Sequence, residues 1–428
     1  MKPRAAPARR PRARLFYGWY VVLAVFAVTL FGFGSAYSVS TFTDALHAEF
    51  GASIGFLSTI FSLASFLYMG FGVFSGPLAD RFGARRIVTA GMLVIGVGMV
   101  VAGVSRDIVG VYLGYGLGVG LGLGLAYVPA VGALQRWFVR RRGVASGLAV
   151  TGLGVGTLIM PPLAAWLTAD FNLHVSFIVL GLLTAVVGGG LAILIVDDPW
   201  DRGLAPDGGL APARDPRAGF ARAASLQREG VSIARAIRSR RFIALYIASL
   251  LGAFALFVPF MHLVPYAQDH GIAPGAAVFL LSLIGIGSTG GRLFLGTLSD
   301  RMNRGLSLLI MLAGLGLSMF IWVSSTEMWS LSLFALAFGV FYGGFVAILP
   351  PVVMDDYGGR NVSGLIGVLY TGSALGALLG PSLAGYAFDL YHSYTLPIIG
   401  SGAAGLVGAV AVVVMMRAPK PSDAAQAR

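Results

Sequence analysis

The sequence contains no cysteine and little charge. Charged residues make up 11% of the 428 residues, against about 25% in an ordinary soluble domain. The absence of cysteine excludes disulfide frameworks, thiolate metal sites and cysteine nucleophiles. Hydrophobic residues make up 57% of the chain and the mean hydropathy is +0.83, which is more apolar surface than a soluble fold can bury. We therefore predict that the protein lies in a lipid bilayer.

Long apolar runs account for this composition. A helix needs about 20 residues to cross a bilayer, and the runs are continuous, whereas membrane strands alternate polar and apolar residues. The basic N-terminal stretch leads into a run that is too long for a cleavable signal peptide. We predict an all-α membrane protein with twelve transmembrane helices, over residues 17–39, 53–76, 84–104, 108–134, 143–167, 173–196, 242–267, 274–298, 305–325, 329–354, 361–387 and 392–416.

The basic residues predict the orientation in the membrane. The net charge of +12 alone would suggest a nucleic-acid partner, but the cations lie in short clusters between apolar runs, so we expect none. Of the 30 Lys and Arg residues, all but Arg106 and Arg292 fall on the side of both termini, which the positive-inside rule assigns to the cytoplasm. We expect a multi-pass plasma-membrane protein, in a bacterial inner membrane. The predicted organisation is a basic N-terminus (1–16), a six-helix bundle (17–196), a cytoplasmic linker (197–241), a second six-helix bundle (242–416) and a cytoplasmic tail (417–428).

The two predicted bundles resemble each other. GPLADR, from Gly76, follows the second span, and GTLSDR, from Gly296, follows the eighth. Two six-helix halves in the same orientation form a parallel repeat, which transporters use to rock about a central site. Both copies carry charges on the cytoplasmic side, which we interpret as a gate, with a simple loop cap as the alternative. In the first half we expect Asp80 to pair with nearby arginines, and the second copy is degraded; the predicted gate residues are Asp80, Arg81, Arg85, Arg86, Asp300 and Arg301.

Glycine-rich spacing in the fourth span has a structural interpretation. Gly114, Gly118 and Gly122 belong to a run that matches a dinucleotide fingerprint by spacing, but no strand precedes it. In a membrane helix such a stripe of small residues predicts close helix packing.

Several segments resemble known transporter families. GPLADRFGARR, from Gly76, resembles the signature between helices 2 and 3 of the major facilitator superfamily. WFVRRRGVASGLAVTGLGVG, from Trp137, resembles the helix 4–5 region of the monocarboxylate transporter family, and YGWYVV at helix 1, PFMHLVPY in helix 7 and GGR in helix 8 are similar to it too. The resemblance covers all twelve spans, looks closest to bacterial members near the oxalate/formate exchanger group, and implies the major facilitator fold. Tyr37 and Ser288 stand where mammalian members carry a lysine and an aspartate, so the proton-coupling residues of those members do not carry over.

Arg292 is the strongest candidate for a substrate site. It is a cation inside a span, where an arginine is costly unless it faces a cavity or a partner, and no Asp or Glu lies deep in any span. Its planar guanidinium matches a carboxylate, and the resemblance implies the same role as anchor of the substrate carboxylate. Snorkelling to the interface is the alternative. Further candidates are hydroxyl groups in helices 1, 4, 8, 10 and 11, of which Tyr127 is favoured by the resemblance: Tyr37, Tyr127, Ser288, Tyr342 and Tyr370.

One histidine inside a span suggests proton handling. His262 lies in helix 7, and an imidazole changes charge near neutral pH. Asp269 follows seven residues later, on roughly the same helix face. We interpret the two as proton-coupling or outer-gate residues, with a packing histidine and a loop-capping aspartate as the alternatives.

These features predict a secondary active transporter of small monocarboxylates of the lactate and pyruvate kind, proton-coupled and working by alternating access. The alternatives are an oxalate/formate-type anion exchanger and an exporter of larger organic anions or drugs. The sequence contains no Walker motif, which argues against ATP-driven pumping. The spans contain no nucleophile–base pair, which argues against a membrane enzyme. The expected partners are a small monocarboxylate anion, a proton and the bilayer; we expect no cofactor, no metal and no requirement for an oligomer. A single guanidinium further predicts a preference for monoanions.

Overall fold

Helices make up almost all of the described chain. The computed structural model describes residues 16–138, 142–208, 231–299, 302–357 and 362–419. Within these ranges, eleven helices are long and apolar enough to cross a membrane, and a bent helix pair brings the number to twelve when it counts as one span. This agrees with the twelve spans predicted from the apolar runs.

We number the spanning helices in chain order. The second consists of two segments that meet at a bend of 49°, and the fourth and sixth contain π-helical turns. The helices are α1 (Gly18–Tyr37), α2 (Ile54–Gly70 and Gly72–Phe82), α3 (Ala84–Val104), α4 (Ile108–Trp137), α5 (Arg142–Asp170), α6 (Leu173–Ala192), α7 (Arg240–Asp269), α8 (Pro274–Ser299), α9 (Arg304–Val323), α10 (Met328–Tyr357), α11 (Val362–Tyr391) and α12 (Thr395–Arg417).

The chemistry of the bilayer explains why these segments are helical. Lipid offers no hydrogen-bond partners, so every backbone group in a span must be satisfied within the protein. Some hydroxyl side chains are satisfied in the same way: those of Ser38, Thr151 and Thr157 donate to carbonyl oxygens of their own helices at 2.7–2.9 Å. A hydroxyl bonded in this way is accommodated in a span at little cost.

The helices form two groups of six. In the first half, α1 packs on α5, and α3 packs on α4 and α6; in the second half, α7 packs on α11 and α12, and α8 packs on α10. Two helix pairs, α2 with α11 and α5 with α8, join the halves. We call the face at the start of α1 and the end of α12 the terminal face, and the face at the end of α1 the opposite face. A site between the halves is therefore bounded by these two helix pairs.

The predicted glycine stripe of α4 lies against α3. A Cβ atom added at Gly114 would lie 2.6 Å from the backbone N of Ala102, and one at Gly118 would lie 2.6 Å from Cα of Gly98. At Gly122 it would lie 2.5 Å from the carbonyl oxygen of Gly91. These helices approach too closely for any side chain, so the stripe serves packing, as predicted.

Part of the predicted linker packs against the terminal face. After α6 the chain turns back, and the indole N–H of Trp137 donates to Val196 O at 2.7 Å while the Arg202 guanidinium lies 3.8 Å from the Tyr17 ring centroid. A short helix, Ile233–Ile237, precedes α7. Within 197–208, the Asp197 carboxylate also accepts from the backbone N–H of Ala84 at 2.6 Å, so this part of the predicted linker packs against the first half.

Candidate functional site

A cavity lies between the two halves. It has a volume of about 690 Å³, including space open to solvent at its mouth, and both halves contribute to its wall. The lining side chains are overwhelmingly aromatic and aliphatic. They are Phe33, Tyr37, Tyr68, Met69, Tyr127, Val128, Leu153, Ala253, Leu256, Phe257, Tyr342, Phe345, Val346, Leu349, Tyr370 and Ser373.

Three phenols and a phenylalanine form a layer across the molecule toward the opposite face. The Tyr37 hydroxyl lies 3.4 Å from the hydroxyls of both Tyr68 and Tyr342. The Tyr37 ring also stacks on Phe260, with 4.1 Å between ring centroids. Because Tyr342 and Phe260 belong to the second half, this layer connects the halves and closes the cavity toward the opposite face.

Arg292 lies behind one wall of the cavity. Its guanidinium carbon is 5.3 Å from the ring centroid of Tyr342, which lines the cavity. All three guanidinium nitrogens are shielded from solvent, and none forms a hydrogen bond with a described residue. A buried guanidinium without an anionic partner is costly, and the ring face of Tyr342 compensates only in part. The arrangement leaves the donors of Arg292 available for a carboxylate once the tyrosine moves.

The other predicted substrate residues divide into two groups. Tyr37, Tyr127, Tyr342 and Tyr370 line the cavity. Ser288 does not: it is fully buried where α8 crosses α10, and its hydroxyl has no hydrogen-bond partner among the described residues. The structure therefore gathers the four tyrosines at one cavity and leaves Ser288 outside its wall.

The halves are closely joined on the opposite face. The Asp389 carboxylate, at the end of α11, accepts from the backbone N–H of Gly55 in the first turn of α2 at 2.9 Å. His262 Nε2 lies 3.0 Å from Pro381 O and 3.4 Å from the Ser58 hydroxyl. His262 is thus fully buried at the crossing of α2 and α11, at the contact that would have to separate for this face to open.

The structure does not bring His262 and Asp269 together. No hydrogen bond joins them among the described residues, and the imidazole Nδ1 is unpaired there. Asp269 lies instead with Asp44 near Tyr394; burial, followed by the charges of Asp269 and Asp44, raises the pKa of the Tyr394 phenol. The two residues are seven positions apart on one continuous helix, so about 10 Å of helix rise separates them, which is too far for direct contact.

On the terminal face, the described ion pairs stay within one half. Asp80 does not pair with Arg81, Arg85 or Arg86 as expected: its carboxylate binds Arg136 of α4 at 2.9 Å. Arg85 donates to Ile195 O at 2.8 Å. The bend within α2 turns Asp80 toward α4, which sequence proximity does not reveal.

The second half carries its own pairs at this face. Arg241 of α7 binds Asp356 of α10 through two hydrogen bonds of 2.6 and 2.8 Å, and both side chains are buried. Arg304 binds Asp355 at 2.8 Å. The predicted gate residues Asp300 and Arg301 lie outside the described residues.

Sequence reasoning missed part of the cavity wall. Tyr68 carried the same signal as Tyr127, a phenol inside a span. Phe33, Phe257 and Phe345 carried no signal, because an apolar ring in a span is equally compatible with lipid contact, helix packing and a cavity.

The sequence profile of the Major Facilitator Superfamily matches residues 24–360. A bacterial homologue of the human lysosomal transporter Spinster, solved in an inward-facing and unoccupied conformation, has a similar fold: the TM-score is 0.64 at 16% identity, with 95% of this chain and 96% of that chain covered. The twelve-helix major facilitator fold predicted from the sequence is thereby confirmed.

Individual relatives identify the family within this superfamily. Monocarboxylate transporter 3 of Mus musculus is 32% identical over 412 residues, covering 94% of this chain and 81% of the relative. Monocarboxylate transporter 11 of Homo sapiens is 29% identical over 417 residues, covering 94% and 83%. Monocarboxylate transporter 4 of Mus musculus is 30% identical, covering 93% and 83%. The chain belongs to the major facilitator superfamily and, within it, to the monocarboxylate transporter family. It is therefore a multi-pass membrane transporter and not an enzyme.

Proposed function

We propose that the protein is a secondary active transporter of small monocarboxylates of the lactate and pyruvate kind, coupled to protons, and that Arg292 anchors the substrate carboxylate. The observation that supports this most is the shielded guanidinium beside a cavity between two halves, with no hydrogen-bond partner among the described residues. A substrate carboxylate would supply the missing acceptors in a bidentate geometry. Tyr127 and Tyr370 line the cavity, and in this proposal their hydroxyls donate to a second substrate oxygen.

The transport cycle that we propose is alternating access. In this conformation the opposite face is closed by the Gly55–Asp389 hydrogen bond and the Tyr37 layer, whereas the ion pairs described on the terminal face do not cross between the halves. In this proposal the Asp80–Arg136 pair belongs to a gate on the terminal face. This gate rearranges when the two halves rock. By the positive-inside rule we assign the terminal face to the cytoplasm of a bacterial cell.

A comparison of monoanionic with dianionic substrates tests whether Arg292 anchors the carboxylate. We expect lactate or pyruvate to bind more tightly than oxalate or malonate at pH 7, since one guanidinium neutralises one carboxylate. A charge pair at 4 Å and an effective dielectric constant of about 20 contributes roughly 4 kcal/mol before desolvation, and a second carboxylate would lose its hydration without a partner. The measurement is competition against labelled lactate in proteoliposomes. Tighter binding of oxalate would move the chain to the oxalate/formate type of exchanger, the second candidate function.

Proton coupling is tested at His262. We expect uptake to rise with an inward proton gradient in the native protein, and His262→Gln to lose gradient-driven accumulation while keeping substrate exchange. Glutamine retains a donor for Pro381 O but does not titrate, so it separates proton transfer from packing. The readout is labelled uptake with and without a protonophore. Full gradient dependence in His262→Gln would leave His262 a purely structural role.

A further inference from the structure

The wall of the cavity is more aromatic than a pyruvate-sized anion requires. Each half contributes four aromatic rings to it, among them Phe33 and Tyr68 from the first half and Phe257 and Phe345 from the second. An anion with a methyl group as its only apolar part could contact only a few of these eight rings.

The cavity wall carries few polar groups, and most of its hydroxyls already face or bind other hydroxyls. The hydroxyls of Tyr37, Tyr68 and Tyr342 face one another, and the Ser373 hydroxyl binds Ser249 at 2.6 Å. The phenols of Tyr127 and Tyr370 remain. The cavity therefore has one cationic anchor behind its wall, two hydroxyl groups that remain free to donate, and apolar rings elsewhere.

We propose that the preferred substrates are aromatic monocarboxylates, an arylalkanoate such as phenylpyruvate or 3-phenyllactate rather than pyruvate or lactate. The proposal rests on the proposed function, because it places the carboxylate on Arg292. The substrate ring then lies among rings from both halves, where edge-to-face and offset contacts are favourable. A ring that packs against both halves also gives each half an apolar contact with the substrate.

Matched pairs of acids test this on the purified full-length protein in nanodiscs. The probes are pyruvate against phenylpyruvate and lactate against 3-phenyllactate, with dissociation constants from thermal shift or calorimetry. We expect the aromatic member of each pair to bind at least tenfold more tightly, because burial of a phenyl ring adds favourable transfer free energy at an unchanged carboxylate. Equal or weaker binding of both aromatic members would overturn the proposal.

Substitutions in the cavity wall test where the phenyl ring of the substrate binds. Phe257→Leu keeps an apolar side chain but removes the aromatic ring, and Phe257→Ala also opens space; both should weaken phenylpyruvate binding about tenfold and leave pyruvate binding within twofold. Phe279, on an exposed face of α8, provides the control, since Phe279→Ala should change neither. If Phe257→Ala fails to fold, Phe257→Leu carries the test alone. Unchanged phenylpyruvate binding in a folded Phe257→Leu protein would contradict a ring site at this wall.

The two proposals fail in different ways. If pyruvate and phenylpyruvate bind equally and both lose binding in Arg292→Lys, the aromatic preference is wrong and the carboxylate anchor stands. If neither acid depends on Arg292, both proposals are wrong.

Discussion

Replacement of Arg292 by lysine is expected to weaken monocarboxylate binding about 10- to 100-fold, although the charge is kept. An ammonium cannot reproduce the planar pair of donors that a guanidinium offers to a carboxylate. One charged hydrogen bond contributes about 1.5–3 kcal/mol, which corresponds to roughly that range of affinity. Lysine also loses the planar contact with the Tyr342 ring, 5.3 Å away. Arg292→Ala should abolish measurable binding.

The control for this variant is Arg106→Lys. Arg106 is exposed between α3 and α4 on the opposite face, away from the cavity wall, so its substitution should leave affinity and uptake unchanged. Binding is measured by calorimetry on protein whose melting temperature matches the native value. Near-native affinity in Arg292→Ala would show that the arginine does not anchor the substrate.

Replacement of Gly385 by alanine is expected to open the opposite face. A Cβ at this position would meet the Ser58 hydroxyl and would lie 2.9 Å from Cα of Gly55, in the other half. A backbone atom cannot give way as a side chain can, so α2 and α11 must separate. Overpacking costs about 1–3 kcal/mol, a factor of roughly 5 to 150 in the balance between a state closed here and one that is open. The substitution should therefore raise the population of the open state.

Spin labels can report this change cleanly because the native chain has no cysteine. Labels at Asp170, the last residue of α5, and at Ala273, just before α8, lie on exposed opposite-face positions of the two halves. The distance between them should lengthen in Gly385→Ala. Gly400→Ala in α12 is the matched control, since an added Cβ there meets nothing within 4 Å. An unchanged distance distribution in a stable Gly385→Ala protein would show that this crossing does not hold the face closed.

Local sequence properties were sufficient for the architecture. The length of each apolar run and the impossibility of unpaired backbone groups in lipid require spanning helices, and the run boundaries differ from the helices found by a few residues. The packing role of the glycine stripe in α4 could also be predicted, because residues spaced by four share one helix face. Arg292 was identified because a cation within a span is costly wherever the rest of the chain lies.

Contacts between distant segments were decided by the tertiary structure alone. Asp80 binds Arg136 rather than its sequence neighbours because the bend in α2 turns it toward α4. His262 binds Pro381 O at the crossing of α2 with α11, about two helical turns from Asp269 on the same helix. An aromatic side chain in a span has the same hydropathy whether it faces lipid, a helix or a cavity. Which rings surround the cavity between the halves therefore depended on the packing of the two halves, which no local pattern encodes.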